Sequence, residues 1–329
     1  METHEPACAD DGVVVEVHYC GICGSDLELF NRGAAGVDPA HASYQGHEFS
    51  GVVVAVGEQV TDLVVGDRVT TGVVQGCGVC GPCRRGRPNF CRGLSEVLSP
   101  GGFAQRTSVR HGDHHYLVPC GDMDLELAAL HEPLSCSLRI VEQSRVSAGQ
   151  LVVVLGLGPI GIMSALLATA FGASTVIGID ANEARVKAAN GLGIDAVQLD
   201  DGRLDTTGLP EADVVIEATG APEALSLAVA LAGLGGRVVI GSVYGRRASD
   251  VDLRPIMRKE LTIIGAKGPF PHLTRSGTSA ALQLLQRPDL PWTSLIQSFE
   301  ISDAETAFLL MSQRQVIKPV IAMQAAHRG

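Results

Sequence analysis

Short β-branched runs dominate the first third of the chain. Val13-Val14-Val15-Glu16-Val17, residues 51–56 and residues 68–74 are separated by Gly, Asp and Asn. Runs this short, with turn residues between them, predict an antiparallel, barrel-like domain. From Leu151 the pattern changes. Leu151-Val152-Val153-Val154-Leu155 is apolar throughout, and a glycine turn follows, then helical spacing over residues 162–171. Uninterrupted apolar runs recur at 175–179, 214–216, 238–240 and 261–264, with helices predicted over 183–192 and 222–231. Strands without polar alternation, interleaved with helices, predict a parallel sheet covered on both faces, the α/β doubly wound class. The last stretch predicts helices over 279–285 and 303–311 and a closing strand over 319–323. Periodicity does not say which sheet that stretch joins. The predicted boundaries give segments 1–140, 141–270 and 271–329.

A length of 329 residues agrees with about two domains. The 46% hydrophobic and 19% charged content excludes a disordered chain. No apolar run reaches about 18 residues without a glycine turn, so no transmembrane helix is expected. Residues 1–11 carry acidic groups and no apolar core of a signal peptide, which points to the cytoplasm. Lys+Arg 25 against Asp+Glu 36 gives a net charge of −11, which argues against nucleic-acid and anionic-membrane partners. The nine cysteines are an odd count, which disfavours a disulfide framework.

Four of those cysteines fall in Cys77-x2-Cys80-x2-Cys83-x7-Cys91. Tetrahedral Zn²⁺ takes four thiolates, and two-residue gaps let one turn present successive sulfurs to one centre. Gly76, Gly78, Gly81 and Gly86 are expected to supply the positive φ of such a knuckle. A closed four-sulfur site is structural; an iron–sulfur cluster is the rival occupant.

A second constellation is split along the chain. Cys23 lies in Gly21-Ile22-Cys23-Gly24-Ser25-Asp26 after one predicted strand, and Gly46-His47-Glu48 precedes the next. A thiolate, an imidazole and a carboxylate at neighbouring strand ends can converge on one ion, leaving an open position for water or substrate. Gly46-His47-Glu48-x2-Gly51, Gly66-Asp67-Arg68-Val69, the preceding Cys-Gly-Ser-Asp and the following four cysteines resemble the zinc-dependent medium-chain alcohol dehydrogenases. The resemblance runs from about Gly12 to Ile321 and implies a GroES-like catalytic domain carrying both zinc sites. It also implies an NAD-binding Rossmann domain and a C-terminal segment returning to the catalytic domain. It makes Cys23 and His47 ligands of a catalytic zinc, Glu48 an exchangeable ligand, and Asp26 the carboxylate that orients His47, as metal-bound imidazoles generally require. Members normally begin some fifteen to twenty residues earlier with a hairpin that is missing or much reduced here: either the start has been trimmed, or the outer edge of the barrel is built differently.

His131-Glu132-Pro133-Leu134 resembles the sorbitol and threonine dehydrogenase branch, in which a glutamate precedes Pro-Leu and serves as the third zinc ligand. Cys136 lies four residues on and is the alternative ligand, and a solvated glutamate at a helix start is the bland reading of Glu132.

Gly156-Leu157-Gly158-Pro159-Ile160-Gly161 follows the apolar strand and opens a helix. In that context Gly156 makes the tight turn, Gly158 admits a pyrophosphate to the helix N-terminus, and Gly161 allows close helix–strand packing. Asp180 ends the next strand 19 residues beyond Gly161, where a carboxylate accepts from ribose hydroxyls and repels a 2′-phosphate, favouring NAD over NADP. Arg185 either shelters the adenine or lies on a solvated helix face. The resemblance adds Thr219-Gly220 and Gly241-Ser242 as loops near the nicotinamide ribose.

The expected activity is reversible oxidation of a secondary alcohol of a polyol, sugar or aminocyclitol, with Zn²⁺ (two per chain) and NAD, and with Ser25 relaying the hydroxyl proton outward. Aminocyclitol dehydrogenases of antibiotic pathways share the cysteine-to-glutamate spacing. A homodimer or homotetramer is expected. A zinc-free quinone or enoyl reductase has no need of Cys23, His47 and the four-cysteine lobe, and a non-catalytic cofactor-sensing protein would have lost a ligand. His41 and Tyr44 read as solvated loop residues, His111, His114 and His115 lack partners at metal spacing, and Phe270 and Trp292 read as packing residues.

Overall fold

The computed structural model describes residues 5–32, 45–72, 77, 79–93, 101–110, 117–199, 209–244, 251–268 and 279–324. Gly76, Gly78, His41, Tyr44, His111, His114, His115, Phe270 and the end of the 68–74 run lie outside them. The chain divides into two units, Met1–Ser135 with Pro269–Gly329, and Cys136–Gly268.

The first unit is built on β1 (Gly12–Gly21), with β2 (Glu48–Val56), β3 (Arg68–Thr71), β4 (Arg106–Arg110) and β5 (Leu117–Pro119). β1 pairs antiparallel with β2 along one edge, with Val13 opposite Val56 and Gly21 opposite Glu48. Its other edge takes β4 over Gly12 to Glu16 and β13 (Lys318–Ala322) over Tyr19 to Gly21. β12 (Ile296–Glu300) adds to β13 in parallel, so the C-terminal stretch joins this sheet. Val13, Val15, Val17, Phe49, Val53, Val69 and Ile321 fill one core, each side chain contributing roughly 1.5–3 kcal/mol of apolar transfer free energy. Register matters because Gly21 opposite Glu48 sets the end of β1 beside the start of β2, where the sequence placed Cys23 and His47.

Among the described residues, four helices punctuate this part of the chain: α1 (Gly24–Arg32), α2 (Gly81–Arg84), α3 (Leu125–Ala128) and α4 (His131–Ser144). Asp124 caps α3 by accepting from the Glu126 and Leu127 N–H groups.

The second unit is a six-stranded parallel sheet of β6 (Leu151–Leu155), β7 (Thr175–Asp180), β8 (Asp195–Gln198), β9 (Ala212–Glu217), β10 (Ala232–Ile240) and β11 (Thr262–Gly265), in the spatial order β11-β10-β9-β6-β7-β8. The order reverses between β6 and β9, the place where ligands of such sheets bind beyond the carboxyl ends. Between the strands run α5 (Pro159–Ala170), α6 (Glu183–Gly191), α7 (Ala224–Leu231) and α8 (Arg254–Arg258). α5 is apolar all round and buried from Gly161 to Ala168, as a helix lacking a polar face must be. It stops at Gly172 (φ 102°), after which the Ala173 N–H returns to the Ala168 carbonyl. Two further helices, α9 (Ala280–Leu285) and α10 (Ala304–Ser312), belong to the first unit.

Candidate functional site

Three constellations stand out, each within one unit. In the first, Cys80 caps α2, Pro82 starts it, Gly86 (φ 69°) turns the chain and Cys91 follows a turn of 3₁₀ helix. Gly81 keeps an ordinary negative φ, so among the described glycines of this lobe only Gly86 needs the left-handed region. The four sulfurs all lie within 4.8 Å of one another, Cys80 and Cys83 being 3.4 Å apart and Cys80 and Cys91 4.0 Å. Zn–S bonds of ~2.3 Å at tetrahedral angles require sulfurs ~3.8 Å apart, so the donor set fits the ion. All four are thiols rather than disulfides. The backbone N–H of Cys83, then that of Arg92, draws the Cys80 pKa down to about 6, toward the thiolate a metal needs.

In the second, a sulfur of Cys23, a ring nitrogen of His47 and an oxygen of Glu48 lie within 4.8 Å of one another. Asp26, buried in the first turn of α1, builds the loop geometry. Its Oδ2 accepts from the Cys23 N–H at 2.8 Å and its Oδ1 from the Gly46 N–H at 3.1 Å, and Oδ1 stands 3.9 Å from His47 Nδ1. Gly46 is obligatory twice over: its φ is 72°, and a Cβ would stand 2.5 Å from the Phe103 nitrogen. Burial opposes charge on the His47 ring, but Cys23, Glu132 and Glu48 outweigh it and hold its pKa well above the ordinary range. Ser25 is exposed on the first turn of α1.

Glu132 is buried on the first turn of α4 and falls outside the close group of Cys23, His47 and Glu48, though its charge bears on His47. Cys136 belongs to the other unit and packs on Gly268, where an added Cβ would stand 3.0 Å from its sulfur. The fully buried His131 beside Glu132 has Nδ1 2.8 Å from the Thr71 carbonyl and Nε2 2.7 Å from Ser279 Oγ. Thr71 Oγ1 donates in turn to the His47 carbonyl at 2.6 Å, so one chain of hydrogen bonds positions both His47 and the start of α4.

Sequence reasoning missed Lys318. Its ammonium, buried in β13, donates to Glu48 Oε2 and, at 3.0 Å, to the Ile22 carbonyl. Burial pulls its pKa down, and Glu48 and Cys23 outweigh that and raise it. A single lysine within the apolar run Val316-Ile317-Lys318-Pro319-Val320 was the available signal, because such a residue is buried only against a partner charge.

The third constellation lies at the carboxyl edge of the parallel sheet. A Cβ at Gly161 would stand 1.7 Å from the Gly156 oxygen, and one at Gly156 (φ 90°) would stand 2.8 Å from Ala218 backbone. Both positions therefore require glycine. A Cβ at Gly158 would meet only the Arg185 guanidinium, at 3.7 Å, so space is open in front of the α5 N-terminus, where Pro159 and Ile160 follow. This fits a pyrophosphate. Asp180 Oδ2 accepts from the Leu157 N–H at 2.7 Å and Oδ1 from the Asn182 N–H at 2.8 Å, and Arg185 Nη1 stands 3.7 Å from Oδ2. Arg185 thus faces Asp180 and the glycine turn rather than projecting from a solvated helix face. Thr219 and Ser242, on the loops after β9 and β10, both donate to the buried Glu217, a residue the sequence reading passed over.

Comparison with known proteins gives two matches to family models: the alcohol dehydrogenase GroES-like domain over residues 9–120 and the zinc-binding dehydrogenase domain over residues 159–287. The chain is 31% identical to a sorbitol dehydrogenase of Halalkalibacterium halodurans, covering 98% of this chain and 94% of that one. It is 35% identical to a 2-dehydro-3-deoxy-L-galactonate 5-dehydrogenase of Pseudoalteromonas atlantica over 81% of this chain and 79% of that one. An alcohol dehydrogenase of Escherichia coli CFT073, crystallised with NADH, superimposes with a TM-score of 0.81 at 27% identity, over 98% of this chain and 95% of that one.

Proposed function

The chain belongs to the zinc-binding alcohol dehydrogenase family, and from that membership we propose that it oxidises a secondary alcohol of a polyol, sugar or cyclitol to a ketone, reversibly, with NAD. The observation that carries this reading is the convergence of Cys23, His47 and Glu48 beside a separate, closed set of four sulfurs. The first set has three donors and leaves a place for substrate; the second is full.

Cys23 and His47, with Glu48 or Glu132 as the carboxylate, would hold the catalytic ion, and Cys77, Cys80, Cys83 and Cys91 the structural one. Zinc bound there supplies Lewis acidity that lowers the pKa of an alcohol hydroxyl, and NAD supplies the hydride acceptor. Asp26 fixes the Cys23 and Gly46 loops and with them the angle at which His47 presents its ring. Lys318 offsets the charge of Glu48 and restrains its Oε2. Ser25, exposed two residues after Cys23, is placed to pass the hydroxyl proton to water. In the other unit Gly156, Gly158, Pro159, Ile160 and Gly161 form the turn that would take the pyrophosphate, and Asp180 would take the adenosine ribose. The relatives named for sorbitol and a deoxygalactonate support a polyhydroxylated substrate. An aminocyclitol of an antibiotic pathway is the narrower form of the proposal, together with a cytoplasmic homodimer or homotetramer; a four-thiolate site kept out of disulfides suits a reducing compartment.

The test is a panel of polyols, sugars and aminocyclitols scored for NADH formation. Turnover of at least one secondary alcohol, lost on zinc chelation, is expected. Silence across the panel, or activity indifferent to chelation, would overturn the reading.

Cofactor choice follows from Asp180. A unit charge pair about 4 Å apart at an effective dielectric near 20 costs on the order of 4 kcal/mol before screening. Even a quarter of that disfavours a 2′-phosphate several-fold. The nearby Arg185 is shared with Asp180 in the parent and would be left to a 2′-phosphate once the carboxylate is gone. Asp180→Ala should therefore weaken NAD and shift the NADP-to-NAD ratio of kcat/KM upward by about ten-fold. An unchanged ratio would remove this role from Asp180.

A further inference from the structure

Glu217 ends β9 after three apolar residues, Val214-Val215-Ile216, and is fully buried. A carboxylate taken wholly out of water costs several kcal/mol unless its oxygens are satisfied. Here they are, without a cation: among the described residues no Lys, Arg or His pairs with it. Oε1 accepts from the Thr219 N–H at 2.7 Å and from the Thr219 hydroxyl. Oε2 accepts from the Ser242 hydroxyl and, at 2.7 Å, from the Tyr244 hydroxyl. Its backbone carbonyl accepts from the Gly241 N–H at 2.9 Å as well. One side chain thus joins two loops, Thr219-Gly220 after β9 and Gly241 to Tyr244 after β10.

The place of these loops gives the arrangement a use. In the spatial order β11-β10-β9-β6-β7-β8, the glycine turn follows β6 and Asp180 ends β7. With the pyrophosphate at the β6 turn and the adenosine over β7, the remaining half of a dinucleotide extends over β9 and β10. The hydroxyl protons of Thr219 and Ser242 are committed to Glu217, and a hydroxyl has one proton to donate. What the two loops offer a ligand is therefore mainly their backbone, held in place. The half-buried Tyr244 hydroxyl fits the same design: desolvation, then the contact with Glu217, pushes its pKa up, so it stays a donor.

We propose that Glu217 is a positioning residue that, through Thr219, Ser242 and Tyr244, fixes the loops after β9 and β10 as a single backbone cradle for the nicotinamide-ribose half of the cofactor. The proposal rests on the dinucleotide reading of this unit. Its test separates the two halves of the cofactor. Binding of NADH, and of AMP as a probe of the adenosine half alone, is titrated by fluorescence and calorimetry on the full chain, for the parent, Glu217→Gln and Tyr244→Phe.

In Glu217→Gln one acceptor becomes a donor facing hydroxyl donors, and the NADH Kd is expected to rise about ten-fold while that of AMP stays within about two-fold. Tyr244→Phe removes one donor from a half-buried site and should move NADH a few-fold in the same direction, also without AMP. If Glu217→Gln does not fold, Tyr244→Phe decides alone. NADH binding unchanged in the folded variants, or AMP weakened in step with NADH, would overturn the proposal. A parent that binds neither NADH nor AMP would instead overturn the dinucleotide reading beneath it.

Discussion

Replacing His47 by alanine is expected to lower kcat on the order of a thousand-fold while moving the unfolding temperature by only a few degrees. The ring contributes one of three donors in the close group, and Lewis-acid catalysis supplies several kcal/mol of barrier reduction that vanishes with the ion. The fold depends on a different part of the same residue, the backbone carbonyl that accepts from Thr71, and alanine keeps it. Elemental analysis should find the metal content lowered by about one zinc per chain, with the sulfur-bound ion retained. A variant keeping more than about a tenth of parental turnover would show that the group is not the catalytic centre.

Cys83→Ser should do the reverse. The lobe from Val79 to Cys91 buries little besides Pro88, Asn89 and Cys91, and α2 buries nothing, so apolar packing cannot hold it. Zinc in such sites contributes folding free energy directly, and removing one thiolate of four should lower stability by roughly 3 kcal/mol. For a unit of roughly 150–250 residues unfolding on its own that is about 6–12 °C in Tm. Turnover of the protein that remains folded should stay within a few-fold of the parent. Equal loss of stability in His47→Ala and Cys83→Ser would abolish the division into a catalytic and a structural site.

The two residues that most change the picture of the sites, Lys318 and Glu217, were not legible in sequence for a common reason. Each is a buried charge with partners beyond the reach of local periodicity: Lys318 meets Glu48 at a separation of 270 residues, and Glu217, besides the nearby Thr219, meets Tyr244 at 27. Periodicity marks such positions only as breaks in an apolar run. The parallel sheet was readable because β6, β7 and β9 are apolar almost throughout, which only two covered faces explain. β8 (Asp-Ala-Val-Gln) and β12 (Ile-Gln-Ser-Phe-Glu) escaped because edge strands keep polar residues facing water. The helix α1 was hidden by its own chemistry. Gly24-Ser25-Asp26 reads as a turn until Asp26 is seen accepting from Cys23 and Gly46. The spacing brought Cys23, His47 and Glu48 to mind together, but the place of Glu132 just outside that group depends on how α4 abuts Gly72, where a Cβ would stand 2.8 Å from the Glu132 Cα. Packing of that kind has no local signature.

β1 receives β13 only after the whole parallel-sheet unit has been threaded between them. On the ribosome, the unit of Cys136–Gly268 can be complete while the sheet begun by β1 still waits for its last two strands. A chain interrupted after Gly268 would carry a finished dinucleotide unit joined to an unfinished partner, with the β1 edge beside Tyr19 to Gly21 left without its neighbour and open to pairing with other chains. It would also carry Glu48 without the ammonium of Lys318, because that countercharge arrives in the same late strand that closes the sheet. Synthesis order thus delivers the countercharge of Glu48 in the same step that completes the sheet.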